Sequence, residues 1–490
     1  MVAVDQFAVV SGTIPSSGNF AITHSDITTW STKGVMLLVI SGVKTDDSTG
    51  DDMRVSYAVL DKDGNGGCWA VKNVDGHAFF NDARNYLGTP DGVFGAMIDD
   101  GVGLSSAVLK LGFVSAGTGG PTLSVDLATE TGFVFKAFLF ATSGSGEAVA
   151  YGSAGLTYTG APAAMDLYIG TIGQGTANSI TTHHRMGIGV VLGDLTQMCV
   201  AHAINRTAYP DPSEARSKIH TDHFGSYDLT GTEDTLLITA INANGWSASQ
   251  LGGGPPIEQI GLGIKFGDAD RTAALVIEDV ADDLGGSGDE DVSFTGLGFS
   301  PVFVLAGLTL LTADDTEATD ATAGAFSLAM FTPDDTACVG VNSEVGTTGP
   351  SNTHSFATPT AIVAETHVGQ IGYWASLKGM LSTGFECTFT QTVPAPLVSD
   401  PQPGKMLVLG ISGLPMPPAE VATDVHVEEE LLTHKALALE EDVHVTETLH
   451  AVIAPGDFLD SDTVTGYNAR GESEAGSTGR GGSEAGGQGG

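Results

Sequence analysis

One pattern occurs three times in this chain and limits what it can become. A run of alternating apolar residues leads, 14 residues on, to a cysteine at Arg54–Cys68, Arg185–Cys199 and Gly324–Cys338. A Gly-aromatic pair follows each cysteine, at Gly112-Phe113, Gly245-Trp246 and Gly384-Phe385, 44, 46 and 46 residues downstream. Strand-like apolar runs precede the cysteines: VMLLVI from Val35, LYIGTI from Leu167 and VFVLAGL from Val302. Others close each copy: KAFLFA from Lys136, AALVI from Ala273 and KMLVLG from Lys405. These spacings describe a repeat of roughly 130–140 residues. A feature present in all three copies reads as scaffold, and one confined to a single copy as a candidate for function.

Short apolar runs separated by Gly, Asp, Thr and Pro clusters point to an all-β fold. Around the first cysteine, Val55, Tyr57 and Val59 alternate with polar or small residues before a Gly/Asn/Asp turn, and a second strand carries Cys68. The second and third copies change the turn residues and keep the turn length. This is what a fixed hairpin register demands, because a slip of one residue turns core side chains outward. A two-layer sandwich in each copy, jelly-roll-like, hides one face of each sheet. The expected layout is three such modules over 1–147, 148–284 and 285–414, a proline linker with a strand repeat over 415–465, and a Gly-rich tail over 466–490. Short helices are expected at FFNDARNYL near Asp82 and PSEARSKIH near Ser213.

In the 415–465 segment DVHV recurs at Asp424 and Asp442, and the strands around it alternate polar and apolar side chains. Two strands alone are marginal in water, so Asp424, Val425, Val427, Asp442, Val443 and Val445 are candidates for assembly against another subunit. The final segment is low in complexity and cannot bury enough surface to order itself, so a flexible tail is expected.

The formal net charge is −40, from 59 acidic and 19 basic residues. A polyanion such as nucleic acid is repelled by such a surface, and no basic patch reverses this locally. Anionic membranes are disfavoured for the same reason, and no run approaches the length of a spanning helix. High charge favours solubility, most of all in strong salt, and low lysine with high aspartate fits a salt-loving host. The opening MVAVDQFAVVSG has no basic stretch leading into a long apolar one, so no secretion signal is expected. Cys68, Cys199, Cys338 and Cys387 form no disulfide framework and no CxxC zinc spacing, and read as small buried residues.

Three residue sets carry potential chemistry. Asp61, Asp63 and Asn65 open like a calcium loop, but the twelfth position is Lys72 and not the bidentate Glu; the alternative is a tight hairpin turn. His183, His184, His220, Asp222 and His223 cluster in the second module, and histidine with carboxylate can ligate a metal or move protons. No HExxH spacing joins them, so surface loops are their default placement. Trp69 directly follows the repeated cysteine, points to the opposite face and is therefore the exposed-tryptophan candidate for a glycan; Trp246 sits at a repeated position and reads as core, and Trp374 is a third candidate. The acidic clusters Asp46-Asp47 with Asp51-Asp52, and Asp282-Asp283 with Asp289-Glu290-Asp291, read as solvated loops. No nucleophile elbow or phosphate loop stands in a convincing context, and no enzyme activity or cofactor is expected.

The third copy opens with DVSFTGLGFSPVFVLAGLTLL and later reads LSTGFECTFTQTV. This resembles a β-sandwich module found in tail-fibre and other virion proteins of tailed viruses, with Phe299, Pro301, Val304 and Gly384-Phe385 matching its motif. LTYTGAPAAMDLYIG and NGWSAS in the second copy keep a looser version. The segment after the linker resembles D-x-V-x-V-x-E-x-L repeats of virion structural proteins, matched by Asp442, Val443, Val445, Glu447 and Leu449. The resemblance covers about half the chain. It implies a non-enzymatic virion appendage, assembled in the host cytoplasm from copies of itself and other virion proteins, without nucleic acid or membrane insertion. A carbohydrate-binding adhesin is the alternative, and the two overlap if the particle attaches to a host glycan.

Overall fold

The computed structural model describes residues 4–413, apart from 74–83, 89–91, 100–105, 174–179, 183, 205–214, 229–233, 253–257, 281–288, 310–314, 316–323, 345–351, 361–362, 368–369 and 392–403. The assembly candidates Asp424 to Val445 and the Gly-rich tail lie outside the described residues.

The chain begins with β1 (Gln6–Thr13), β2 (Gly18–Ala21), one helical turn α1 (Trp30–Lys33), β3 (Gly34–Ser41) and β4 (Ser48–Gly50). The hairpin β5 (Met53–Asp61) and β6 (Gly66–Asn73) follows, then β7 (Arg84–Gly88) and β8 (Val93–Ile98). β9 (Ala107–Gly117), β10 (Gly120–Ala128) and β11 (Val134–Ala141) complete the first unit. The second unit has β12 (Glu147–Ala154), β13 (Thr157–Tyr158), β14 (Leu167–Gly173), β15 (Ile180–Thr182), β16 (His184–Leu192) and β17 (Gln197–Ile204). It ends with β18 (Ala215–His220), β19 (Gly225–Asp228), β20 (Asp234–Asn242), β21 (Gly245–Leu251) and β22 (Glu258–Lys265). The third has β23 (Ala273–Val280), β24 (Glu290–Phe294), β25 (Pro301–Thr309), β26 (Gly324–Phe331) and β27 (Thr336–Glu344). β28 (Asn352–Thr358), β29 (Val363–His367), β30 (Gln370–Leu381), β31 (Gly384–Gln391) and β32 (Gly404–Ser412) close it.

The three large sheets run β1-β11-β3-β5-β6-β7, β12-β22-β14-β16-β17-β18 and β23-β32-β25-β26-β27-β28. The three small sheets run β2-β10-β9-β8, β13-β21-β20-β19 and β24-β31-β30-β29. Strand for strand the order is the same, so the fold is all-β, built three times on one antiparallel plan. Cys68, Cys199 and Cys338 occupy one position in it, opposite Ala58, Gly189 and Ala329 respectively. All four cysteines are free and buried. Among the described residues no helix is long and apolar enough to cross a membrane.

Several sequence expectations need correction. The run AALVI from Ala273 does not close the second unit. It is β23, the first strand of the third, and the true closing strand is β22. The junction therefore lies between Lys265 and Ala273, and not at 284/285. Both expected helices contain edge strands: Arg84–Gly88 and Ala215–His220 pair with the cysteine strands β6 and β17. Backbone pairing with an existing sheet overrides a weak local helical preference.

Gly112-Phe113 belongs to β9 and is not the first Gly-aromatic copy. The equivalent residue is Gly120 at the start of β10. A side chain at Gly120, Gly245 or Gly384 would strike a carbonyl oxygen of the neighbouring strand, that of Ile22, Tyr158 or Phe294, at 2.0, 1.8 and 1.8 Å. Gly120 and Gly245 also hold φ of +150° and +151°, which only glycine adopts without strain.

In β3, Met36, Leu38 and Ile40 face the small sheet, while Val35, Leu37 and Val39 face the other way. A simple sandwich would leave that second face to water. Here it is buried, because the outer faces of all three large sheets pack on one another in a central core. β6 packs against β16, β17 against β26 and β27 against β3, which closes a three-membered ring. Uninterrupted apolar runs such as VMLLVI are what a strand buried on both faces requires.

Loop exchange at the edges seals the ring. β4, in the loop after β3, pairs with edge strand β28 of the third sandwich, and β15, in the loop after β14, pairs with edge strand β7 of the first. The loop after β25 reaches the second sandwich, where the Asp315 amide donates to the Ile219 carbonyl at 3.0 Å. Asp47 makes the matching bond to Ala357 at 2.8 Å. Asp47 and Asp315 share φ of 56° and 54°, and Ala357 and Ile219 share one register position. The contacts are cyclic: first to third, third to second, second to first. Head-to-tail contacts of this kind close on themselves, and each covers part of an outer strand of a large sheet, at β28, β18 and β7.

The acidic cluster at Asp46 is thus not wholly a solvated loop. Asp46 pairs at 2.5 Å with Lys136, whose side chain is completely buried. Burial pulls the Lys136 ammonium below its usual range while Asp46 pushes back.

Gly307 of β25 lies where the third sandwich meets the second, and an added Cβ would sit 2.7 Å from Val200 Cγ1. Val200 is β-branched and buried, so it has little room to yield. Gly307→Val is expected to cost about 1–3 kcal/mol by overpacking, measured as a lowered urea midpoint.

Candidate functional site

The calcium candidate fails on its donor set. Asp61 is buried at the end of β5, and its Oδ1 accepts from the amides of Asp63 and Asn65, both at 2.9 Å, and from Asn65 Nδ2 at 3.2 Å. Its Oδ2 accepts from Asn65 Nδ2 at 3.0 Å and from the Ala150 amide of β12 at 3.2 Å. An ionised carboxylate offers about four lone-pair sites, so N–H donors saturate this one. Asp63 meanwhile pairs with Lys62 at 2.5 Å. These residues shape a turn and dock it on the second sandwich. Similar turns recur at Asp194, which accepts from the Thr196 amide at 2.9 Å, and at Thr332, whose hydroxyl accepts from the Asp335 amide at 3.0 Å.

Trp69 is not exposed. It points away from Cys68, as alternation requires, but the opposite face is the central core, and the residue is 1% accessible. Trp246 is fully buried in the second sandwich, and Trp374 is partly buried against the third. Beside the Asp61 turn lies a half-open cleft of about 560 Å³. Lys62, Asp63 and Asn65 line one side, and Glu147, Tyr151 and Tyr158 the other. The two tyrosine rings stack at 4.5 Å. Burial, with the Asp61 carboxylate nearby, pushes the Tyr158 phenol up to about 12, so it stays neutral at ordinary pH.

The histidine set separates. His183 lies outside the described residues and His184 opens β16. The other three come together where β18 ends and the chain turns to β19. His220 is the last residue of β18, Asp222 and His223 follow in the turn, and the Phe224 amide anchors the far side on the Leu236 carbonyl at 2.8 Å. The ligand atoms of His220, Asp222 and His223 all lie within 4.8 Å of one another. The imidazole rings are 5.4 Å apart and inclined at 64°. His223 Nδ1 faces Asp222 Oδ1 directly. Burial is graded: the His220 side chain is 4% exposed, that of His223 17% and that of Asp222 71%.

A fourth residue arrives from the third sandwich. Asp315 Oδ1 lies 3.7 Å from His220 Nδ1. It also accepts from the Thr221 amide at 3.1 Å, while Oδ2 accepts from the Thr221 hydroxyl at 2.6 Å. Burial acts to raise the Asp315 carboxyl, and the Thr221 bonds with nearby His220 and Lys218 outweigh it, holding the group below the usual carboxylate range. Sequence reading gathered His220, Asp222 and His223 from proximity along the chain. It missed Asp315, which only the loop exchange between sandwiches brings in.

No protein-family model and no curated protein sequence matches the chain.

Proposed function

We propose that this chain is a non-enzymatic structural protein of a tailed-virus particle, forming a surface appendage such as a capsid turret, head fibre or tail-fibre component, and taking part in host attachment. The observation that carries the reading is the closed ring of three like sandwiches in one polypeptide. Such a ring buries its apolar faces in its own core and carries three like modules in one chain. That is an economical way to display repeated contact surfaces, because linked binding elements raise avidity without new contacts. The motif resemblance in the second and third copies supports the same reading. The net charge of −40 adds to it, since like-charged copies stay apart until a specific contact joins them. The partners are copies of this chain and other virion proteins, and the location is the assembled particle of a host adapted to salt. Density-gradient fractions of the particles, analysed by mass spectrometry, are expected to contain the protein in a fixed ratio to the major capsid protein. A chain that stays at the top of the gradient as a free monomer would end this reading.

The cleft between the Asp61 turn and Tyr158 favours a second reading, a carbohydrate-binding adhesin. It sets an aromatic ring beside amide and carboxylate groups, as sugar sites do. On a glycan array, binding that is lost in Tyr158→Ala supports the adhesin; an array without signal rejects it.

A further inference from the structure

We propose that His220, Asp222 and His223 form a binding site for one divalent transition cation of the zinc type, at the seam between the second and third sandwiches. Two imidazoles and a carboxylate are the ligand chemistry that such ions take, with water completing the shell. Metal–ligand bonds of about 2.0–2.1 Å place ligand atoms about 3.4 Å apart around a tetrahedral ion. The three donors already lie within 4.8 Å of one another, so modest side-chain rotations complete the set. The graded burial suits capture. His220 is fixed in the wall, His223 is partly open, and the exposed Asp222 is free to swing from His223 Nδ1 onto an arriving ion.

Asp315 supplies an independent argument. A ligating histidine commonly turns its second ring nitrogen to a carboxylate, which fixes the ring and raises its basicity. Asp315 faces His220 Nδ1 at 3.7 Å, and two bonds from Thr221 hold it there. This leaves His220 Nε2 as the ligating atom. Because Asp315 belongs to the third sandwich and His220 to the second, a bound ion strengthens one contact of the ring.

Among the described residues the site is not repeated at the equivalent positions. The position of His220 opposite Cys199 is held by Thr358 opposite Cys338 and by Gly88 opposite Cys68. In the third sandwich the positions matching His220 and Asp222 are Thr358 and Thr360, whose hydroxyls bond to each other at 3.1 Å. The scaffold thus does not require histidine here.

The test is equilibrium dialysis of the full-length chain, stripped with a chelator, against zinc, followed by metal analysis and a melting curve. The wild type is expected to hold one more zinc per chain than Asp222→Ala or His223→Ala, and zinc is expected to raise its melting temperature but not theirs. Both variants change partly exposed side chains, so folding is preserved, and histidines outside the site bind equally in all three proteins. Asp315→Asn is expected to keep the stoichiometry and weaken affinity about 10–100-fold. Equal zinc content and equal melting shifts in the wild type and both alanine variants would overturn the proposal.

Discussion

Asp5→Ala is expected to be among the most damaging single substitutions in the chain, at about 3–5 kcal/mol. Asp5 is the knot in which the ends of all three sandwiches meet. Its Oδ1 accepts from the Ser143 amide at 2.7 Å and the Thr142 hydroxyl at 3.1 Å, just past the end of the first sandwich. Both of its oxygens lie 3.2 Å from the Gly267 amide, just past the end of the second. Arg271, at the entrance of the third, approaches Oδ2 at 3.5 Å and donates to the Ser412 carbonyl at 2.6 Å. The Asp5 side chain has no exposure, and burial alone pulls the Arg271 guanidinium down from its usual value while Asp5 and Asp268 push it up. Removing the carboxylate strands a buried cation and several N–H and O–H donors together. Asp5→Asn keeps an acceptor and loses the charge, so its cost is expected to be smaller. Equilibrium denaturation of both variants separates the ionic contribution from the hydrogen bonds.

Trp69→Ala is expected to cost a further about 3–5 kcal/mol, the usual range for deleting a large buried aromatic side chain. Its reach is the more informative outcome. Trp69 belongs to the first sandwich, yet it packs in a core shared with Ile188 and Val190 of the second and Phe326 and Leu328 of the third. Tyr57 meets Phe326 edge-on at 6.4 Å, and Phe138 stacks on Phe303 at 3.8 Å across the same core. A cavity there weakens all three sandwiches at once. Truncating Leu123, which is buried between the sheets of the first sandwich alone, is expected to act mainly on that sandwich.

Much of this architecture was legible in the sequence because hairpin length is a local property. The spacing to Cys68, Cys199 and Cys338 located three equivalent strands, and the strand order confirms them. The spacing that runs over several loops held for the second and third copies and failed in the first, where the 44-residue offset landed on Gly112 inside β9 while the equivalent Gly120 lies 52 residues past Cys68. Alternation gave the right face for Trp69, since periodicity tells which side a residue points to. What covers that side is non-local, so the central core turned an expected surface residue into a buried one. The same limit applies at the histidine cluster. Three neighbours in sequence were visible, whereas Asp315 and the ring-closing contact of Asp47 depend on loops that cross between sandwiches.

The three equivalent cysteines allow the shared core to be tested one sandwich at a time. Burial pushes the Cys68 thiol up to about 12, and Cys199 and Cys338 are likewise fully enclosed, so an alkylating reagent reaches them only after opening. Thiol labelling across a urea series, read by mass spectrometry for each site, reports the stability of each sandwich separately. A single core joining three sandwiches predicts that Cys68, Cys199 and Cys338 lose protection at one common midpoint, and that Trp69→Ala lowers all three together. Three separate midpoints, with only Cys68 responding to that substitution, would contradict it.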